Sequence, residues 1–318
     1  MVGIVNSFML YSILNTAFVL LVSPLFISLI KKTKAYTQGR RGPSLFQTYY
    51  LVVKLMKKEV IYSSNSSIIM RITPYLNITF MLAASLFVPL LFIPASSPGI
   101  GNIFLFLYLL VAAKFFMALA GLDAGSTFGG MGSSREMTLS AVIEPVVIIV
   151  FATLAFVFRT MNMHEMFTQS LGTSILVNPP VLLISLSLFI ILIVETSRIP
   201  VDNPETHLEL TMVHEAMILE LSGSNLALME LSHAIKQTLL MGLLINILMP
   251  WGLAREPGLV NIGVAAAMFI MKGVILAIIV GLFESSVAKM RLFRLPALFM
   301  QAFFLAFVTI LFELLNRL

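Results

Sequence analysis

The sequence predicts an all-α, polytopic membrane protein with about eight transmembrane helices and one cytoplasmic amphipathic helix, in a single integral membrane domain, 1–318. Two observations carry this. Of the 318 residues, 59% are hydrophobic and only 11% charged, under half of the roughly 25% usual in soluble domains; the mean hydropathy is +1.00. The apolar residues also come in runs of about 20, enough to cross a hydrocarbon core. These runs lie near 8–30, 77–97, 103–122, 137–158, 176–195, 237–254, 259–283 and 295–315.

The first run is too long for the apolar segment of a signal peptide and no basic stretch precedes it, so it is expected to be a retained span. Pro24, Pro89 and Pro145 fall within spans, where membrane helices tolerate proline. The pair Pro179–Pro180 marks the first turn of the fifth. Between the first two spans, "LFQTYYLVVKLMKKE" (45–59) sets Phe46, Tyr49, Tyr50, Val53 and Met56 on one helical stripe opposite polar and basic positions. This is the pattern of a helix lying at the membrane interface; adhesion to anionic lipid accounts for its lysines equally well.

Basic residues orient the chain. The 31–76 connection holds nine Lys and Arg, and connections 123–136, 196–236 and 284–294 hold one, two and three. The opposite side has three: Arg159, Arg255 and Arg317. The positive-inside rule then places the four odd-numbered connections in the cytoplasm and both termini outside. There is no cysteine, which excludes disulfides and cysteine-ligated iron–sulfur clusters.

An ionisable side chain within lipid costs several kcal/mol unless it has a partner, a wet cavity or a function. Lys114 and Lys272 lie near the middles of spans three and seven, and Glu144 about one third of the way along span four. Asp123, Glu195 and Glu284 close their spans on the cytoplasmic side. Such a set suits a proton or cation relay; the alternative is internal ion pairing, for example Glu144 with Lys114.

Six of the fifteen carboxylates occur in "ETSRIPVDNPETHLELTMVHEAMILELSG", 195–223. Pro200 and Pro204 favour extended backbone before them, and Asp202–Asn203 suits a turn. From Pro204 the pattern predicts a helix stopped at Gly223, with Glu205, Glu209 and Glu220 on one face. His207 and His214 depart from the H-E-x-x-H zinc pattern, so no metal site is expected. A solvated loop helix and a buried acidic conduit toward Glu195 and Glu144 are both open.

"ETSRIPVDNPE" followed by "EL" and "ELSG" resembles the complex I membrane subunit that links the peripheral redox arm to the antiporter-like chain. There the stretch reads roughly E-x-N-R-x-P-F-D-x-P-E. "QGRRGP" (38–43) and the Arg135–Glu144 spacing match as well. "DNPETHLELTMVHEAMILELSG" is more similar to the anchor subunit of energy-converting, membrane-bound nickel–iron hydrogenases and formate hydrogenlyases. The segment after Pro43 is abbreviated and Ser44 replaces the usual Asn, which argues against a quinone site.

The resemblance implies a non-catalytic anchor and coupling subunit, without a cofactor of its own, in the cell membrane. Implied partners are hydrogenase small and large subunits carrying nickel–iron and iron–sulfur groups, a ferredoxin-like cluster subunit, and antiporter-like membrane subunits; nucleic acid is not among them. Glu144, Glu195, Glu205, Glu209 and Glu220 match acidic conduit positions, and Glu215 belongs to the hydrogenase-type variant. Lys114, Lys272 and Glu284 join the expected path from their places in the spans. Arg41, Gly42, Pro43, Arg198, Pro200 and Asp202 match the docking surface. Rival expectations are the equivalent subunit of a quinone- or sulfur-reducing relative and a stand-alone secondary transporter, which the lack of an internal repeat disfavours.

Overall fold

The computed structural model describes residues 2–64, 66–94, 101–171, 178–203, 212–254 and 258–316, with the side chains of 2–7 and of 259 excepted. Among them are eleven α-helices and no sheet. They are α1 (Val2–Thr37), α2 (Gln47–Met56), α3 (Ile68–Ser85), α4 (Ile103–Asp123), α5 (Thr127–Phe158) and α6 (Met163–Ser170). There follow α7 (Pro179–Glu195), α8 (His214–Ile218), α9 (Gly223–Leu248), α10 (Leu259–Ser286) and α11 (Leu295–Leu315). Seven are long and apolar enough to span a membrane, and the fifth expected span is the shorter, 17-residue α7.

Helix α9 is the axis. Its most apolar window is 78% buried, against 28–50% for the other long helices, and α1, α2, α3, α7 and α10 pack around it. Helices α4, α5 and α11 close the bundle on the side of α3 and α7. One end of the bundle gathers the close of α1, α4, α7 and α10 with the start of α3, α5, α9 and α11. The other end is tied by the Phe92–Ala254 and Asn102–Asn162 bridges.

Four spans begin earlier than the apolar runs suggest: α1 at Val2, α3 at Ile68, α5 at Thr127 and α9 at Gly223. Helix α3 starts at Ile68 because Asp123, closing α4, accepts hydrogen bonds from the Ser67 and Met70 amides at 2.9 and 3.0 Å. It stops at Ser85 because Asn15 of α1 takes over the backbone: its amide donates to the Ser85 and Val88 carbonyls and its oxygen accepts from Leu90 N. Residues 86–94 are therefore irregular and almost wholly buried. Backbone of this kind survives in a bundle only where protein groups satisfy it. Pro89, expected within a helix, lies in this segment, whereas Pro24 and Pro145 are inside α1 and α5.

Helix α5 begins at Thr127, capped by Ser126, and runs through a glycine-rich turn. A Cβ at Gly132 would stand 2.7 Å from that of Ala216, so glycine lets α8 lie against α5. Helix α9 begins at Gly223, the residue expected to end a helix. It passes through Glu230, His233 and Lys236 before its apolar half. The expected helix over 204–222 is represented among the described residues by α8 alone; Glu205, His207 and Glu209 lie outside them.

The interfacial helix is present as α2, anchored on α1 by Thr48, whose hydroxyl shares a 2.7 Å hydrogen bond with Ser28. Phe46, Tyr50, Val53 and Met56 of the apolar stripe face outward, while the Tyr49 hydroxyl donates to the Leu21 carbonyl.

Asn15 is fully buried and serves three backbone groups. Replacement by alanine should cost about 3 kcal/mol or more, since it leaves three buried groups unsatisfied at about 1–3 kcal/mol each. A lowered thermal-unfolding midpoint in detergent would show it; an unchanged midpoint would refute the role.

Candidate functional site: a buried chain of acids and bases

Glu195 ends α7 at the point where four helices meet. Its two oxygens accept separate hydrogen bonds, from Lys114 of α4 at 2.9 Å and Lys236 of α9 at 2.7 Å. Lys114 therefore pairs with Glu195 rather than with Glu144, the partner named as an example of internal ion pairing. Glu136 of α5, 8% exposed, lines the same two small cavities, of about 30 and 20 Å³, as Lys114 and Glu195. His214 and His233 close the larger of them, with ring centroids 4.9 Å apart.

Two wider cavities adjoin this centre. One, of about 200 Å³, is walled by apolar residues of α4 and α5 and holds Glu144 and Glu195. The other, of about 190 Å³, holds Lys31, Arg198, Asp202, Glu215 and Glu230 and shares the two histidines and Ser197 with the central cavity. Glu195 lines three of the four cavities and Ser197 lines three. The polar groups thus follow one another from Glu144, through Glu195 and Glu136, past the histidines, to Glu215 and Glu230.

A second ion cluster follows α7. Arg198 donates to Glu284 of α10 at 3.0 Å and to Gln237 of α9, and Lys34 of α1 stands 3.8 Å from Glu284. Asp202 accepts from Lys289 at 2.7 Å and from the Val213 and His214 amides at 3.0 and 3.1 Å. It thereby fixes the chain entering α8.

Burial pushes the Glu215 carboxyl up to about 7, helped by Glu230 and Asp202 and opposed by Lys31. Burial pushes His214 down to about 4, with Lys236 and Lys114 acting in the same sense and Asp202 against. A carboxyl held near 7 is present in both protonated and ionised forms at ordinary cellular pH.

The structure gathers Lys114, Glu144, Glu195, Glu215 and Glu284 into or beside this chain. Lys272 stands apart, donating to the Met249 and Trp251 carbonyls at the end of α9, and Glu220 is exposed after α8. Arg41 is exposed, and Gly42 and Pro43 are half-exposed; a Cβ at Gly42 would stand 3.0 Å from Lys32 Cα. Arg198, Pro200 and Asp202, expected at a docking surface, are buried in the second ion cluster and its turn. Glu136, Glu230, His233 and Lys236 were not anticipated. Glu230, His233 and Gln237 recur at intervals of three and four on α9, a spacing readable as one helical face. Among the described residues no cluster of potential metal ligands is found.

Two variants check this centre. Lys236→Met strips one cation from a buried carboxylate and should destabilise the protein by about 3 kcal/mol, the low end for breaking a buried pair because Lys114 remains; denaturation in detergent measures it. Glu215 has its carboxyl raised from 4.5 to about 7, so its contribution to stability is present below pH 4.5 and lost as pH rises through 7. His214, lowered from 6.5 to about 4, stabilises above 6.5 and loses this as pH falls. The His214 contribution is common to parent and Glu215→Gln, so their difference isolates Glu215. Glu215→Gln should therefore remove a fall in unfolding midpoint between about pH 4.5 and 7; an unaltered slope would contradict the assignment.

Comparison with known proteins adds four findings. The family model described as NADH dehydrogenase matches residues 10–314. Hydrogenase-4 component C of Escherichia coli (strain K12) is 29% identical over 284 residues, 89% of this chain and 88% of that one. Formate hydrogenlyase subunit 4 of the same organism is 28% identical over 305 residues, 95% and 98% of the two chains. A chain from the structure of a membrane-bound sulfane sulfur reductase, an archaeal respiratory membrane complex, superimposes with a TM-score of 0.79 at 17% identity, over 95% of this chain and 98% of that one.

Proposed function

Because this chain belongs to the NADH dehydrogenase family, we propose that it is the membrane anchor and ion-coupling subunit of a complex I-like oxidoreductase. The observation that carries the reading is the set of acids and bases that bond Glu195 or line the cavities adjoining it. Burying this many ionisable groups is costly unless they serve a path or a switch. Alternating carboxylates, amines and imidazoles, several joined through small polar cavities, suit stepwise proton passage.

The coupling role is common to hydrogen-evolving, sulfur-reducing and quinone-linked assemblies. The narrower assignment to ferredoxin-linked hydrogen evolution rests on the hydrogenase-4 and formate hydrogenlyase relatives and on the hydrogenase-like acidic connection. In this reading the basic end of the bundle faces the cytoplasm, both termini lie outside, and the redox arm docks there beside exposed Arg41. Arg198 and Asp202, being buried, serve docking by holding residues 196–203 and the start of α8 in place. Gentle extraction and identification of the co-purifying subunits decides the terminal reaction: a large subunit with bound nickel supports hydrogenase, and one without it supports the sulfur- or quinone-linked assignment.

In vesicles containing the assembled complex, Glu195→Gln and Glu144→Gln should each reduce the ions moved per electron transferred by about tenfold or more, as expected for losing a charge-assisted hydrogen bond or a proton-carrying group. Full coupling in the Glu195 variant would remove the basis of the proposal. Isolated chain that transports ions in liposomes would instead revive a stand-alone transporter.

A further inference from the structure

Glu136, Ser140 and Glu144 stand at intervals of four along α5, so they form one row on the helix with successive members about 6 Å apart. The row joins two cavities already described, the central one beside Glu136 and the apolar-walled one holding Glu144. Ser140 sits between them, 4% exposed. Its hydroxyl has no hydrogen-bond partner among the described residues.

This is unusual within the protein itself. Thr153 on the same helix and Ser185 on α7 return their hydroxyls to the carbonyl four residues earlier, at 2.8 and 2.6 Å. Ser140 does not, and it lines a cavity of about 20 Å³ together with Glu136, Lys114, Glu195 and Ser197. A water molecule needs roughly 10–15 Å³ and two to four polar partners. The cavity offers both, and a buried hydroxyl left unpaired is destabilising.

We propose that Ser140 holds a buried water molecule that joins the Glu136 carboxyl to Glu195, making Glu136 a working member of the ion path. The inference rests on the coupling function proposed above. A proton crosses when Glu136, protonated, donates to the water as the water passes one of its own protons to the Glu195 carboxylate. One O–H bond breaks and one forms at each transfer, and no oxidant or reductant takes part. Ser140 is a positioning residue: it fixes the water's oxygen and carries no charge itself.

The test uses the complete membrane complex. A high-resolution electron cryomicroscopy map should show an ordered water within about 3 Å of Ser140 Oγ in the parent and in Ser140→Thr, and none there in Ser140→Ala. In vesicles, Ser140→Ala should lower the ions moved per electron about fivefold, the scale of one lost neutral hydrogen bond, while Ser140→Thr keeps most of the coupling because it keeps the hydroxyl. A parent map without that water overturns the proposal. So does full coupling in Ser140→Ala: if Glu195→Gln is uncoupled in the same assay, the coupling function stands and only the water link fails; if Glu195→Gln is also fully coupled, both fail.

Discussion

The carboxylate of Glu195, held between the ammonium groups of Lys114 and Lys236, constrains the interior of the bundle. Removing an ion from water costs several kcal/mol, and a partner at hydrogen-bonding distance recovers this only if the geometry is good. The three charges come from the end of α7 and from within α4 and α9, so these helices must pack at matching heights for the charges to meet. Three residues further on, Arg198 ties the same end of α7 to Glu284 of α10 and to Gln237 of α9. Lys34 brings in α1 from the other side of Glu284. Two ion clusters, one step apart along the chain, thus set the relative positions of five helices.

Around this polar interior the protein is built as a membrane protein should be, with apolar residues toward lipid and irregular backbone only where protein side chains satisfy it. Asn15 does this for 86–94, and Asp202 does it for the chain entering α8. Helix α9 is the clearest case of the double requirement. It is the most buried long helix, yet it carries Glu230, His233, Lys236, Gln237 and Asn246 because the groups it must meet are polar.

How much of this was legible follows from what a hydropathy pattern can and cannot register. Lys114, Glu144, Glu195 and Glu284 stood out because each interrupts or closes an apolar run, and the structure places all four in or beside the polar interior. Lys236 and His233 did not, because they lower the local hydropathy enough to make the first half of α9 resemble a connection. Glu136 was hidden in the same way by the polar turn before it. Arg198 and Asp202 were read as surface groups because a proline-rich connection between spans ordinarily faces water; whether it folds back into the bundle depends on Glu284 and Lys289, more than eighty residues away. For Glu205 and Glu209, outside the described residues, the sequence expectation stands untested.

The sequence by itself determined the solvent, the helical class and the scarcity of charge, since composition and run length are local properties that lipid reads directly. Only the tertiary structure decided which charge meets which. A carboxylate on α7 has no preference between Lys114, Lys236 and Lys272 until helix packing brings two of them within 3 Å and leaves the third on the carbonyls that follow α9.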